Sequence, residues 1–275
     1  MVTNNQISMR TLGKTLQNLQ TVFDRAAIEY HEKKLEKNKK MNPKYYSDVE
    51  FIVQQPRPGS FILDLTSIST TTKKIIDRVA NVLKASFDDA MGDGIKEANA
   101  ITNQIHEIKA KLAIGNDLID KPTEDNDYKD YAEYAIASNF NHILSIIRAD
   151  SSGKTTFEIT LEGTQKTTLT FDREKAEKFG LAITERRLGQ PKLYIAKVEE
   201  MNNVMLKAKV FNVQTQKKSS LKFVGGADLI SVIPYFEKKK LMRFVACPLI
   251  QYDAIDNNAG DLVFVKVIED GLTDR

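Results

Sequence analysis

Hydrophobic and polar residues alternate along much of the chain between residues 191 and 269, as they do in strands that bury one face. Leu193, Ile195 and Val198 indicate a first strand, and Ala208 and Val210 lie on the buried face of a second. A third strand, a short helix and two further strands follow. OB-type barrels commonly carry a helix between the third and fourth strands. The pattern therefore predicts a small OB-like β-barrel, with a generic five- or six-stranded barrel as the alternative.

Apolar residues in the first 180 positions recur mostly at steps of three and four, which indicates amphipathic helices. These stripes predict helices over residues 9–32, 70–90, 95–112 and 131–148, and a short one between Asp172 and Gly180. Hairpins are predicted around residues 55–59 and around Gly163. The interpretation is an α+β fold in which N-terminal helices pack on an antiparallel sheet of hairpins. The spacing of the 95–112 helix permits pairing between chains in a homo-oligomer, but packing on the 70–90 helix is the more economical arrangement and is expected.

Size and composition are those of two ordinary domains. The chain has 275 residues, 41% hydrophobic and 28% charged, which is near the size at which single cores divide. We predict an α+β domain over 1–180 and a barrel domain over 181–275, divided near residues 181–190. No apolar run reaches 18 residues and the first ten residues lack a signal-peptide core, so no membrane segment is expected. The lone Cys247 cannot form an internal disulfide, which favours the cytoplasm.

The barrel carries most of the basic excess, with 15 Lys and Arg against 11 Asp and Glu over residues 181–275. The second and third strands of an OB-type barrel form its usual oligonucleotide surface. One hypothesis is therefore single-stranded nucleic-acid binding, with an aromatic ring that stacks on a base. Its candidate residues are Lys207, Lys209, Phe211, Lys217, Lys218 and Lys222. The acidic loop 253–261 argues against it, because a nucleic-acid clamp would carry cations there.

Motifs with catalytic meaning are incomplete. Gly153-Lys154-Thr155 lacks the earlier glycine of a phosphate-binding loop, and Asp89 begins a calcium-loop pattern without its later ligands. Glu107-Ile108-Lys109 has the Glu-x-Lys spacing of some metal-dependent nucleases, with Asp64 as the plausible partner. We predict no catalytic residue, metal site or cofactor. A nuclease-like enzyme built from dispersed residues stays open as an alternative.

The histidines and the cysteine offer little further chemistry. His31, His106 and His142 share no metal-ligand spacing. His106 is expected to face solvent and His142 to lie at the edge of a core. Cys247 stands in an apolar strand, where we expect burial rather than reactivity.

The first helix, Tyr45-Tyr46 with the strand to Val53, and the run Arg57–Leu65 resemble the opening of a group of uncharacterised bacterial proteins. Those proteins join an α+β unit to a C-terminal barrel and often occur in phage-defence or mobile-element neighbourhoods. The resemblance covers about the first quarter of the chain and carries no catalytic residues over. It implies an accessory subunit. We therefore expect a non-enzymatic binding or assembly protein with a protein partner.

Overall fold

The computed structural model describes residues 2–3, 6–53, 61–67, 69–92, 101–114, 128–149, 155–256 and 260–268. Its helices are α1 (Met9–Glu32), a 3₁₀ helix (Pro43–Val49), α2 (Thr70–Gly92), α3 (Ile101–Ile114), α4 (Tyr131–Arg148), α5 (Arg173–Thr184) and α6 (Gly226–Glu237). Its strands are β1 (Val2–Thr3), β2 (Gln6–Ile7), β3 (Ile52–Val53), β4 (Phe61–Thr66), β5 (Lys129–Asp130), β6 (Phe157–Glu162), β7 (Lys166–Phe171), β8 (Arg186–Leu188), β9 (Lys192–Asn202), β10 (Lys207–Asn212), β11 (Lys217–Lys222), β12 (Leu241–Gln251), β13 (Ala254–Ile255) and β14 (Leu262–Val267).

Spatial contacts divide the chain into two units. The first consists of Met1–Lys96 and Tyr131–Glu185, and the second of Glu97–Asp130 and Arg186–Arg275. The last division falls within the 181–190 region. Residues 97–130, however, belong with the barrel instead of the N-terminal unit. The two units are therefore not consecutive in the sequence. The chain enters the barrel unit, returns to the first unit, and then enters the barrel unit again.

The first unit is built on a four-stranded sheet in the order β3-β4-β6-β7. Strands β3 and β4 are antiparallel, as are β6 and β7, so both predicted pairs are present. The turn around residues 55–59 lies outside the described residues. The α+β class with a C-terminal barrel is confirmed. The expectation that the sheet is antiparallel throughout is wrong at one pair, because β4 and β6 are parallel. A parallel pair needs a long crossover, and the chain between these strands contains α2 and α4.

An ion-pair network joins three helices of the first unit. Arg78 of α2 donates to Glu29 of α1, from Nη2 to Oε1 at 2.7 Å and from Nε to Oε2 at 2.9 Å. It also reaches Glu133 of α4 at 3.4 Å. The hydrogen bond to Glu29 raises the pKa of Arg78. The arrangement pairs one partly buried cation with two carboxylates, and loss of the guanidinium would leave those carboxylates facing each other.

The barrel closes through the strand order β9-β10-β11-β14-β12, with β12 returning to β9. Only β11 and β14 are parallel within this ring. Helix α6 lies between β11 and β12 in the chain, as in an OB-type barrel. The core is apolar and includes Val198, Val210, Leu221, Phe244 and Phe264. The predicted closed barrel is confirmed.

Helix α3 covers part of the outer surface of the barrel. Its buried residues Ile105 and Leu112 pack against Val245, Cys247 and Leu249 of β12, together with outward residues of β14. Lys109 donates to both carboxylate oxygens of Asp228 on α6, at 2.6 and 2.8 Å. The expectation that this helix packs on α2 is wrong. The reason lies in β12, which is apolar on both faces and needs a cover outside the barrel.

Candidate functional site

The six residues predicted for nucleic-acid binding lie on strands β10 and β11. The register places Lys207 beside Lys222, and Phe211 beside Lys218. Lys209 alternates with the buried Ala208 and Val210 along β10. The side chain of Lys209, and those of the same parity on this strand, therefore lie on the outer surface of the barrel. Lys217 is exposed at the first position of β11. The structure therefore brings Lys207, Lys209, Phe211, Lys218 and Lys222 together on one outer surface. Lys217 lies opposite the buried Asn212 and has the inward parity of β11.

Carboxylates neutralise much of that surface. Lys209 Nζ lies 2.7 Å from Glu200, Lys218 Nζ 2.9 Å from Glu199, and Lys222 Nζ 3.2 Å from Asp261. The hydrogen bond to Glu199 raises the pKa of Lys218. Exposed pairs such as these add little stability, but they reduce the positive potential that attracts a polyanion. Three of the five predicted lysines are therefore already paired with acidic side chains.

An apolar patch lies next to these lysines on the same half of the barrel. We define the apolar patch as Leu193, Ile195, Phe211, Val213 and Leu241. Leu241 is 56% exposed, Val213 38% and Leu193 36%, while Ile195 and Phe211 are half-buried. Scattered exposed apolar residues are common, but adjacent ones rimmed by polar groups mark interaction surfaces.

Strand register places the apolar patch on the outer face of three neighbouring strands, β10, β9 and β12, with Lys197 between Phe211 and Leu241. Lys197 of β9 lies opposite Phe211 on one side and Leu241 on the other. Ile195 lies opposite Arg243, and its carbonyl oxygen accepts a hydrogen bond from Val213 N at 3.0 Å. Three neighbouring strands therefore contribute to it. Lys197 and Arg243 stand among the apolar side chains, and Lys218 stands at the edge beside Phe211.

The sequence interpretation of β9 did not separate the two faces of the strand. Leu193, Ile195 and Val198 together indicated one half-buried strand. In the structure, Tyr194, Ala196 and Val198 contact the core. The period of two separates the faces, since residues 193 and 195 share one face and residue 198 has the opposite parity. This parity was the signal in the sequence that could have found the apolar patch.

The predictions for the histidines are partly right. His106 is exposed, as expected. His142 is also exposed and does not lie at a core edge, because its neighbours Ile143 and Leu144 point to other sides of α4. His31 Nε2 lies 3.0 Å from Asp48 Oδ2, and its ring stacks on Tyr45 at 4.1 Å. This contact, which the sequence did not reveal, joins the 3₁₀ helix to the end of α1.

Cys247 is buried, as expected, and burial raises the pKa of its thiol to about 12. A thiol in this state is a poor nucleophile at neutral pH. The side chain lies in the apolar cluster beneath α3. Its position is that of a packing residue.

The residues of the nuclease-like motif have other contacts. Lys109 is engaged by Asp228, while Glu107 is exposed on α3. Asp64 lies on β4 in the first unit, whereas α3 belongs to the second. Gly153, Lys154 and Asp93 lie outside the described residues. Within the described part of the chain, no group of three or more His, Cys, Asp or Glu side chains could hold a metal ion.

Comparisons with known proteins found no family model, no curated protein and no solved structure that matches this chain. In the described residues, no helix has both the length and the apolar character needed to cross a membrane.

Proposed function

We propose that the protein is a non-enzymatic binding or assembly protein whose barrel docks a protein partner on the apolar patch. The observation that carries the proposal is the group of exposed and half-buried apolar side chains on the outer face of β10, β9 and β12. Burial of apolar area contributes about 25 cal/mol per Å², so a partner that covers these side chains gains affinity directly.

The occupant in this proposal is an amphipathic segment with acidic flanks. Lys197 and Arg243 lie among the patch side chains, so the surface favours a partner that carries carboxylates. The barrel already accepts a helix elsewhere on its outer surface, where α3 inserts Ile105 and Leu112. A closed barrel offers no free strand edge along this ring, so a helix laid across side chains fits better than an added strand.

The test is a tagged pull-down from native-host extract, with and without nuclease, in three versions of the protein. Leu241→Glu places an acidic side chain inside the apolar patch. Ile230→Glu on α6 is the matched control, since Ile230 is 63% exposed and lies outside the patch. We expect one stoichiometric protein partner that survives nuclease, is retained by the control, and is lost with Leu241→Glu. Equal retention by both variants would contradict the proposal.

A second candidate function is binding of single-stranded nucleic acid. The position of Phe211 between Lys197 and Lys218 favours it, because stacking on a ring flanked by cations is a common mode of single-strand recognition. The three acidic neighbours of the lysines oppose it. Affinity for an oligonucleotide should then fall steeply with salt and with the double change Lys207→Glu, Lys209→Glu. Indifference to both would end this candidate.

The biological setting belongs to the same proposal. The resemblance of the N-terminal segment favours an accessory role in a phage-defence or mobile-element complex, and the composition favours the cytoplasm. Identification of the captured partner by mass spectrometry tests this setting. A partner from unrelated metabolism would remove the defence interpretation but keep the docking surface.

A further inference from the structure

A groove in the first unit lies between the beginning of α1 and the second half of α4. Its volume is about 460 Å³, within the range of small-molecule sites. Helix α1 contributes Arg10, Lys14 and Asn18, and α4 contributes His142, Ser145 and Ile146. With Thr11, Thr15 and Ile143, the described lining combines two cations, five uncharged polar side chains and an apolar wall. Among its described lining residues there is no carboxylate.

The two cations stand where the helix itself does not favour them. Arg10 and Lys14 are four residues apart on α1, a spacing at which like charges destabilise a helix. They also lie in the first two turns, where the helix dipole favours anions, and the first turn carries no acidic residue. His142 faces the same groove from α4. A bound anion would relieve this concentration of positive charge.

We propose that this groove binds the phosphoryl group of a small phosphorylated molecule of about nucleotide size. The guanidinium of Arg10 can contact two phosphate oxygens at once, and Lys14 adds a point charge. The imidazole N–H of His142 can donate from the opposite helix. The hydroxyl of Ser145 donates to the carbonyl oxygen of His142 at 2.6 Å and offers the groove only an acceptor. Asn18 and Ile146 offer an amide and an apolar surface to the rest of the molecule. The donors are side chains of two different helices, and the inference is independent of the barrel surface.

The test measures binding of inorganic pyrophosphate, AMP and adenosine by isothermal titration calorimetry at constant ionic strength. The double variant Arg10→Gln, Lys14→Gln removes the charges from the groove. The matched control Lys74→Gln, Lys84→Gln removes two exposed cations from α2. We expect saturable binding of AMP and pyrophosphate but not adenosine. The groove variant should bind at least ten-fold more weakly, and the control should match the wild type.

Three results would overturn the inference. The first is the absence of saturable binding by either phosphorylated probe, and the second is equal weakening in the groove and control variants. The third is a loss of thermal stability in the groove variant in phosphate-free buffer, because that would show that the cations hold the fold. Relief of like-charge repulsion instead predicts an unchanged or slightly higher melting temperature without ligand, and a smaller upward shift on adding pyrophosphate.

Discussion

Two outer faces of the same barrel carry apolar side chains, and among the described residues a helix covers only one of them. On β12 and β14, residues such as Val245, Cys247 and Val263 are buried beneath α3. On β9, β10 and β12, the apolar patch remains accessible. Both faces arise from strands that place apolar residues outside the barrel. The comparison supports the proposal that the outer face of β9, β10 and β12 takes a covering element from a partner, as the face of β12 and β14 takes α3.

The largest expected effect is on the covered face. Ile105→Ala removes a fully buried side chain of α3, and such truncations cost about 2–5 kcal/mol because a cavity remains. Unfolding in urea, followed by the accessibility of the Cys247 thiol, reports this unit specifically. The thiol should also react faster with a thiol-specific reagent in native buffer. If Ile105→Ala lowered the free energy of unfolding no more than an exposed substitution does, packing of α3 would not stabilise the barrel.

The pH dependence of stability tests the same buried cluster. The thiol of Cys247 has an ordinary pKa of 9.0, and burial raises it to about 12. Above pH 9 the folded state therefore keeps a proton that the unfolded chain releases. The contribution of the thiol to the free energy of unfolding is complete below pH 9 and is lost as the pH rises toward 12. Between pH 9 and 10.5 we expect the free energy of unfolding to fall by about 2 kcal/mol.

Cys247→Ala is the control for the pH prediction, since it keeps every other titrating group. The stability of this variant should decline less steeply above pH 9 than that of the wild type. Identical slopes in the two proteins would mean that the thiol is not shielded by α3.

A smaller effect is expected from the ion pair that accompanies α3. Lys109→Met removes the bond to Asp228 but keeps the aliphatic stem, and partly exposed pairs contribute about 1 kcal/mol or less. Urea unfolding of this variant beside Ile105→Ala separates charge from packing. If the lysine change were the more costly of the two, the helix would be held mainly by its ion pair.

The smallest effect on stability is expected on the open face. Leu241→Ala should change the free energy of unfolding by no more than about 0.5 kcal/mol, because the side chain is already exposed. Partner capture should nevertheless fall. A stability loss close to that of Ile105→Ala would show that Leu241 is covered in the free protein, and the comparison between the faces would fail.

The periodicity of apolar residues in the sequence predicts most of the helices and strands. It does not show which element packs against each apolar stripe. Helix α1 spans the predicted residues 9–32, and Asp172 caps α5 by accepting from Lys175 N at 2.8 Å. The position of α3 could not be read from its own sequence, because a stripe shows that a helix is covered but not by what. The complementary signal was in β12, where Val245, Cys247 and Leu249 alternate with the core residues.

The candidate site was predicted only in part, because periodicity assigns faces within a strand but does not show how strands pair. Alternation correctly separated Lys207 and Lys209 from Ala208 and Val210. Pairing of the lysines with Glu199, Glu200 and Asp261 was invisible, because it depends on strand register and on a loop distant in sequence. The apolar patch was missed for the same reason, since three strands contribute to it. Composition identified a basic barrel, but register decided which charges remain available.

Photo-crosslinking tests the central claim most directly. A photoreactive amino acid replaces Leu241 in the apolar patch or, in a second sample, Ile230 on α6, and living host cells are irradiated. The account predicts one discrete, nuclease-resistant protein adduct from position 241 and none of that mass from position 230. Adducts to nucleic acid at position 241, or equal protein adducts at both positions, would contradict the claim that the apolar patch docks a protein partner.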